Sequence, residues 1–320
     1  MSEWLRAYLL KGFLSCGDLV GRWFLFHDPG APRCRMHPDL SYGPHHRQKL
    51  DLIAPGGGGP HPLVVYLHGG GWIAGDKASY TRICREFAGR GYLTANVNYR
   101  LAPRHAHPVQ LRDAAAAIRW MYGRAARFGG DGDRMILAGD SAGAQLVSWY
   151  AAALHDAALR RNVGVAAVVP PRSLKGLVLF YGVFDMEGMF ETPWKGITAM
   201  MRSLLGTDPD QFRRNARAAS PIHHLTDRMP PCFLCASDLD PLRPQTLDMA
   251  RRLQGLGVEL ELLDLSGEDY PDARHGFLNF YRRRSSEIAL QRALDFAQSV
   301  CPPANGPQRT DRQRSEEDDG

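Results

Sequence analysis

A serine in a glycine-rich turn is the first feature of this sequence that could carry chemistry. Residues 139–143 read Gly-Asp-Ser-Ala-Gly, between the apolar run Met135–Ala138 and an alanine-rich helical pattern. A serine hydroxyl is a poor nucleophile unless a sharp turn from strand to helix presents it, and flanking glycines allow the backbones to approach that closely. We therefore predict that Ser141 is a nucleophile that attacks a carbonyl carbon.

A second glycine-rich segment, His-Gly-Gly-Gly-Trp at 68–72, directly follows the apolar run Leu63–Leu67. Attack on a carbonyl moves negative charge onto its oxygen, and fixed backbone N–H groups stabilise that charge without reorganisation. Residues without side chains suit this task, and the residue after the nucleophile supplies a further N–H group. The predicted oxyanion hole consists of Gly69, Gly70, Gly71 and Ala142.

The nucleophile needs a base, and the sequence offers twelve histidines. Where a serine is presented in this way, the acid and then the histidine come later in the chain. His275 follows the run Val258–Leu265 through a loop, whereas His223 precedes the acid candidates. We predict that His275 acts as general base and then as general acid.

The acid should follow the preceding apolar run, where Asp238 and Asp240 are both candidates. We favour Asp240 because Pro241 ends the strand and can open the next helix, which would fix this carboxylate at the sheet edge. Asp238 remains the alternative, and otherwise it orients the loop. The acid holds the histidine in the correct tautomer, so the other aspartate should tolerate mutation better.

Cys232 and Cys235 form a C-x-x-C pair within an apolar run. On a strand these positions point to opposite faces, so the two thiols cannot bond to each other or share a metal ion. We therefore predict that this pair binds no metal and performs no redox chemistry. Six cysteines scattered through a long chain without a secretory leader indicate free thiols in a reducing compartment, so we expect a cytoplasmic protein.

The elements that must position these residues alternate between short apolar runs and longer helical patterns. This alternation is typical of a mostly parallel sheet covered by helices on both faces, whose functional residues follow the carboxyl ends of the strands. The predicted strands are Leu63–Leu67, Leu93–Tyr99, Met135–Ala138, Lys175–Tyr181, Pro231–Ala236 and Val258–Leu265. The predicted helices are Tyr80–Gly89, Arg112–Arg124, Ala142–His155, Pro244–Leu256 and Ser286–Val300.

Charge and hydropathy exclude two classes of partner. Lysine and arginine number 39 against 34 acidic residues, a net charge of +5 with both signs interleaved, so we predict no nucleic-acid binding. Lys11, Asp18 and Arg22 interrupt the apolar stretch near the N-terminus, so we predict no integral membrane span. The expected partner is a small-molecule substrate, and a homodimer is left open.

Together these motifs resemble the hormone-sensitive lipase family of α/β-hydrolases, and they are similar to those of arylacetamide deacetylase and bacterial carboxylesterases. The matching landmarks, between about Leu63 and Val300, are residues 68–71, 99–103, 139–143, 240–243 and 275–277. The resemblance implies an α/β-hydrolase fold and hydrolysis of short- to medium-chain carboxylic esters. It also implies an acyl-enzyme at Ser141, no cofactor, and a helical cap formed partly by N-terminal residues.

Three segments are set apart from the hydrolase domain, which we place at residues 46–300. Residues 1–45 have apolar residues on one helical stripe, which predicts a helix packed on the globular body, and the resemblance implies that this segment is a helical lid. Residues 185–224 have apolar residues at helical spacing and no strand pattern, which predicts an inserted helical cap. Residues 301–320 lack large aliphatic side chains and predict a disordered tail.

Two alternatives stay open. Ala144 stands where these esterases usually have a second glycine, and Ser-Ala-Gly-Ala-Gln at 141–145 is also similar to kynurenine formamidases. Cleavage of a formamide or amide is therefore the alternative reaction. The alternative of another class is a non-catalytic ligand-binding protein on the same fold, which would be expected to lose members of the catalytic set, whereas Ser141, Asp240 and His275 are all present.

Overall fold

A computed structural model describes residues 32, 34–165, 168–192, 196–280 and 282–304. Its strands are β1 (Arg35–Ser41), β2 (Lys49–Ala54), β3 (His61–Leu67), β4 (Leu93–Val97), β5 (Gly130–Asp140), β6 (Leu174–Phe180), β7 (Cys232–Ser237) and β8 (Leu260–Leu265). They form one eight-stranded sheet in the order β1-β2-β4-β3-β5-β6-β7-β8. The pairs β1/β2 and β2/β4 are antiparallel, and every other neighbouring pair is parallel.

Helices connect the strands and cover the sheet. They are α1 (Thr81–Gly89), α2 (Val109–Arg124), α3 (Ala142–Ala153), α4 (Ala157–Val163), α5 (Ile197–Leu205), α6 (Pro209–Ala219), α7 (Arg243–Gly255) and α8 (Arg284–Val300). None of the helices within the described ranges combines the length and the apolar character that crossing a bilayer requires.

The core lies on both faces of the sheet, as alternate residues of β3 demonstrate. Val65 belongs to a buried cluster that includes Ile118 of α2. Val64 belongs to a second cluster that includes Ile83 of α1 and Leu290 of α8. Because both faces are covered, the central strands are almost continuously apolar. The predicted fold class, a mostly parallel sheet with helices on both faces, is confirmed.

The two cysteines of the C-x-x-C pair also lie on opposite faces. Cys232 packs into the first cluster and Cys235 into the second. Both are free thiols, and burial raises the pKa of each. Because a protonated thiol is a weak nucleophile and metal ligand, these cysteines are packing residues. The predicted placement of the two thiols on opposite faces of the sheet is confirmed.

Strand β1 is a feature that the sequence pattern did not predict. Its residues fall in the segment 1–45, so the predicted helical character of that segment is wrong over this stretch, and all seven residues are exposed or only half-buried. An edge strand with little to bury carries no alternation of apolar and polar residues, and Pro38 is tolerated because an edge leaves N–H positions unpaired. The N-terminal helical stripe and the tail from residue 305 onward lie outside the described residues.

Residues 185–224, named the helical insertion below, connect β6 to β7. Helices α5 and α6 lie within it and form half of its length, as the helical spacing predicted. Asp208 caps α6 by accepting the N–H of Gln211 at 2.8 Å, and Pro209 occupies the first turn, where its missing N–H costs nothing. The backbone N–H of His107, in the loop after β4, donates to the carbonyl of Leu204 at 2.8 Å. This bond ties the helical insertion to the sheet domain.

Candidate active site

The turn between β5 and α3 holds Ser141 in a strained backbone conformation. Its φ of 49° and ψ of −115° lie outside the regions that residues with a side chain normally occupy. The N–H of Ser141 donates to the carbonyl of Phe180 at 2.9 Å, which anchors the turn to β6. A Cβ atom on Gly143 would collide with the carbonyl oxygen of Leu67, so only glycine allows this close approach to β3. The turn lifts the serine to the carboxyl edge of the sheet.

A continuous hydrogen-bond chain joins three side chains that are far apart in sequence. His275 Nε2 lies 3.0 Å from Ser141 Oγ, and its Nδ1 lies 2.9 Å from Asp240 Oδ2. The Asp240 carboxylate is completely buried, and the His275 side chain is 16% exposed. An ionised carboxylate only accepts hydrogen bonds, so Nδ1 carries the proton and Nε2 is left to accept the serine hydroxyl. This arrangement can activate Ser141 as a nucleophile.

The two candidate aspartates have different partners. Asp240 Oδ2 contacts the histidine, and its Oδ1 accepts the N–H of Leu242 at 2.8 Å, which fixes the carboxylate at the start of α7. Asp238 Oδ1 instead accepts the N–H of Gly267 at 2.6 Å, in the loop that leads to His275. The structure therefore brings Asp240, and not Asp238, to the imidazole.

The glycine loop after β3 has a backbone that few residues other than glycine adopt. Gly70 has a φ of 109° and Gly71 a φ of 58°. The N–H of Gly69 donates to Asp140 Oδ1 at 2.8 Å, so it is engaged and cannot also serve the predicted oxyanion hole. Among the hydrogen bonds of the described residues, none uses the N–H of Gly70, Gly71 or Ala142 as donor. These three N–H groups are therefore the candidate donors of the oxyanion hole.

Asp140 is a site residue that the sequence analysis missed. Besides the N–H of Gly69, its carboxylate accepts the hydroxyl groups of Tyr66 and Tyr80, both at 3.1 Å. These contacts join the glycine loop to the turn that carries Ser141. Burial raises the pKa of Asp140 to about 6, although its hydrogen bonds oppose this shift. The only available signal was an acidic residue between Gly139 and the predicted nucleophile Ser141, in a turn that the flanking elements must bury.

The raised pKa of Asp140 predicts how stability depends on pH. Its folded-state pKa of about 6 exceeds the ordinary aspartate value, so its contribution to stability is complete below about pH 4 and is lost as pH rises through 6. Asp140→Asn removes this titration. Between pH 4 and 7 the free energy of unfolding should therefore decrease less for the variant than for the wild type. The difference between the two decreases should be on the order of 3 kcal/mol.

Urea unfolding at pH 4, 5, 6 and 7 measures this difference. Asp248→Asn, which changes an exposed carboxylate on α7, is the matched control and should follow the wild type at each pH. Parallel profiles for wild type and Asp140→Asn would contradict the assigned pKa shift.

His68 lies next to the glycine loop but is not placed to act as a base. It is fully buried, its ring stacks on Tyr99 with centroids 4.4 Å apart, and burial lowers its pKa to about 4. Its Nδ1 lies 2.6 Å from the carbonyl oxygen of Gly69, which can only accept, so Nδ1 donates. The hydroxyl of Tyr99 donates to the backbone carbonyl of His68 at 2.8 Å. His68 and Tyr99 therefore stabilise the glycine loop through packing and hydrogen bonds to its backbone.

One group of potential metal ligands occurs in the described part of the chain. Donor atoms of Asp185, Glu187 and His223 lie within 4.8 Å of one another. However, Asp185 Oδ1 accepts the N–H of Glu187 at 3.0 Å and that of Gly188 at 3.3 Å, as in an ordinary aspartate turn. We assign no metal to this group.

Comparisons with known proteins agree with this geometry. A family profile described as alpha/beta hydrolase fold matches residues 64–279. Carboxylesterase NlhH of Mycobacterium tuberculosis is 31% identical over 229 residues, which cover 68% of this chain and 67% of that protein. Esterase LipQ of the same organism is 29% identical over 266 residues, covering 78% of this chain and 60% of that protein.

Solved structures show the same fold. Esterase B from Lactobacillus rhamnosis, in a crystal structure with an inhibitor, superposes with a TM-score of 0.82 at 21% identity and covers 100% of both chains. At this identity the likeness establishes the arrangement of helices and strands and says nothing of the substrate.

Proposed function

Because the chain belongs to the alpha/beta hydrolase fold family, we propose that it is a serine carboxylesterase that hydrolyses short- to medium-chain esters through an acyl-enzyme. The single observation that carries this proposal is the hydrogen-bond chain from Ser141 through His275 to Asp240. The names of the relatives, carboxylesterase and esterase, support the same reaction.

In the first half of the reaction, Ser141 Oγ attacks the ester carbonyl while His275 Nε2 removes the hydroxyl proton. The buried Asp240 carboxylate stabilises the imidazolium that forms. The carbonyl oxygen becomes negative and is bound by the N–H groups of Gly70, Gly71 and Ala142. Ala142 begins α3 and so adds the positive end of a helix dipole. His275 then gives its proton to the leaving alcohol, and the acyl group remains on Ser141.

The second half repeats these steps with water. His275 takes a proton from a water molecule, whose oxygen attacks the acyl carbon. A second negatively charged intermediate forms in the same oxyanion hole. Its collapse breaks the bond to Ser141 Oγ, which recovers its proton from His275 as the carboxylic acid leaves. Each proton and each bond in the cycle is accounted for by this chain's own residues and water.

The alternatives named from the sequence are not favoured by the comparisons. The relatives reported above are named as esterases and not as formamidases, and the residues of the hydrogen-bond chain are complete, which a binding protein does not need. The test is a comparison of kcat/KM for p-nitrophenyl butyrate and N-formylkynurenine. We expect the ester to be favoured at least about 10²-fold, since each tenfold preference requires 1.4 kcal/mol of differential transition-state binding. A higher value for the formamide would replace the proposed reaction with the alternative.

Location and assembly remain predictions. All five cysteines in the described ranges are free thiols, which supports a reducing, cytoplasmic compartment. A small-molecule ester is the expected partner, nucleic acid is not, and a homodimer stays open. Fractionation of cell extracts tests the predicted compartment. Light scattering of the purified protein measures whether it forms a homodimer.

A further inference from the structure

Gln145 connects three parts of the molecule that the proposed mechanism treats separately. It lies one turn after Ser141 in α3 and is 1% exposed. Its Oε1 accepts the indole N–H of Trp72 at 2.9 Å, and its Nε2 donates to the carbonyl of Ala219 at 2.7 Å. Trp72 directly follows the glycine loop, and Ala219 is the last residue of α6 in the helical insertion.

The Trp72 indole and the Ala219 carbonyl together determine which hydrogen-bonding groups the side chain at position 145 must have. An indole N–H can only donate and a backbone carbonyl can only accept, so the bridging side chain needs both an acceptor and a donor. Glutamine supplies both at this reach. Leucine has a similar volume but supplies neither, and it would leave the Trp72 N–H and the Ala219 carbonyl buried without a partner.

The position of Trp72 fixes the end of the glycine loop. Trp72 is 1% exposed and has a φ of 61°, a conformation that a residue with a side chain holds only when its surroundings impose it. Its carbonyl accepts the N–H of Ala102 at 2.9 Å, which restrains the backbone on one side. The bond from its indole to Gln145 restrains the ring. The backbone of Gly71, which directly precedes Trp72, is therefore restrained through these two hydrogen bonds of Trp72.

The helical insertion also touches this loop directly. A Cβ atom on Gly71 would collide with the sulfur of Met200 in α5, so the insertion packs against the glycine that supplies a candidate oxyanion donor. Gln145 adds a hydrogen-bonded link from α6 to the neighbouring residue, Trp72. The position of the Gly71 N–H thus depends on where the insertion sits.

We propose that Gln145 is a positioning residue that acts through Trp72 to hold the Gly71 N–H in place, and through Ala219 to couple that position to the helical insertion. This inference rests on the proposed esterase function. An oxyanion donor acts on the transition state more than on the bound ester. A misplacement of a catalytic group by about 1 Å can lower the reaction rate by about 10²-fold. Gln145→Leu should therefore lower kcat by about 10- to 100-fold and change KM little.

The experiment measures kcat and KM for p-nitrophenyl butyrate, and Ki for a trifluoromethyl ketone, whose adduct with the serine carries an oxyanion. Gln145→Leu removes the acceptor, and Trp72→Phe the donor, of the hydrogen bond between these two side chains. Each should lower kcat and weaken ketone binding by similar factors. The double variant should lose no more than the worse single variant, because both changes remove one interaction. Trp72→Phe keeps most of the ring volume and tests the proposal if Gln145→Leu fails to fold.

Trp149→Phe is the matched control. The indole N–H of Trp149 donates to the carbonyl of Ala218 at 2.7 Å, so it joins α3 to the same end of α6, and among the described residues no hydrogen bond links its side chain to the glycine loop. It should lower the melting temperature but leave kcat and ketone binding within about twofold of the wild type.

Three results would overturn the proposal. The first is unchanged kcat and ketone affinity in Gln145→Leu and Trp72→Phe beside an active wild type, which would leave the esterase function intact. The second is an equal loss in Trp149→Phe, which would mean that any loosening of the insertion slows the reaction. The third is an inactive wild type that also fails to react with the ketone, which would remove the esterase function and this inference together.

Discussion

Ser141→Ala should lower kcat for p-nitrophenyl butyrate by about 10⁶-fold, because removal of a serine nucleophile leaves only the catalysis that binding and the oxyanion hole provide. The variant should fold normally, since alanine removes one oxygen and the strained turn is retained. Steady-state hydrolysis, with circular dichroism as a check of folding, measures both statements.

A second serine in the same helix provides the control. Ser148 is also fully buried, but its hydroxyl donates to the carbonyl of Ala144 at 2.7 Å within α3. Ser148→Ala should therefore retain kcat within about twofold while losing at most about 1 kcal/mol of stability. Activity of Ser141→Ala within tenfold of the wild type would contradict the assignment of the nucleophile.

Asp240→Asn should lower kcat by about 10⁴-fold, the effect expected when the acid of a serine–histidine–aspartate set becomes an amide. The amide can present its NH₂ group to His275, and the imidazole then adopts the tautomer with the proton on Nε2, which cannot accept from Ser141. Binding of substrate does not involve Asp240, so KM should change much less than kcat.

Asp238→Asn distinguishes the two aspartates. Asp238 accepts only a loop N–H in the contacts given above, and an amide oxygen can still accept it, so the loss in kcat should stay below about tenfold. The comparison uses the same ester and the same pH for both variants. If Asp238→Asn were the more damaging change, the acid would have to be reassigned.

Much of the hydrogen-bond chain could be predicted because its members follow strand ends. Ser141, Asp240 and His275 each come after a run of residues that reads as a strand, and parallel strands present their carboxyl ends at one edge. The sheet itself was predictable for the same reason, since strands buried on both faces are apolar throughout. Only the choice between Asp240 and Asp238 needed coordinates, because both lie within the same short loop.

The contacts that hold the glycine loop in place could not be predicted from the spacing of residues in the sequence. The N–H of Gly69 is occupied by a hydrogen bond to the Asp140 carboxylate, unlike those of Gly70 and Gly71. Three consecutive glycines in a sequence do not reveal which of their N–H groups is occupied in this way. Gln145 and Ala219 are 74 residues apart, and their contact depends on how the helical insertion docks. Strand β1 was missed because an exposed edge strand lacks an apolar face.

Covalent labelling with a fluorophosphonate tests the central claim most directly. After digestion, mass spectrometry should find one phosphonyl group, on the peptide that contains Ser141. Labelling should be absent in Ser141→Ala and slower by several orders of magnitude in His275→Ala, because the hydroxyl is then not activated. A label on a different residue, or ester hydrolysis that continues at full rate after Ser141 is completely labelled, would contradict the account.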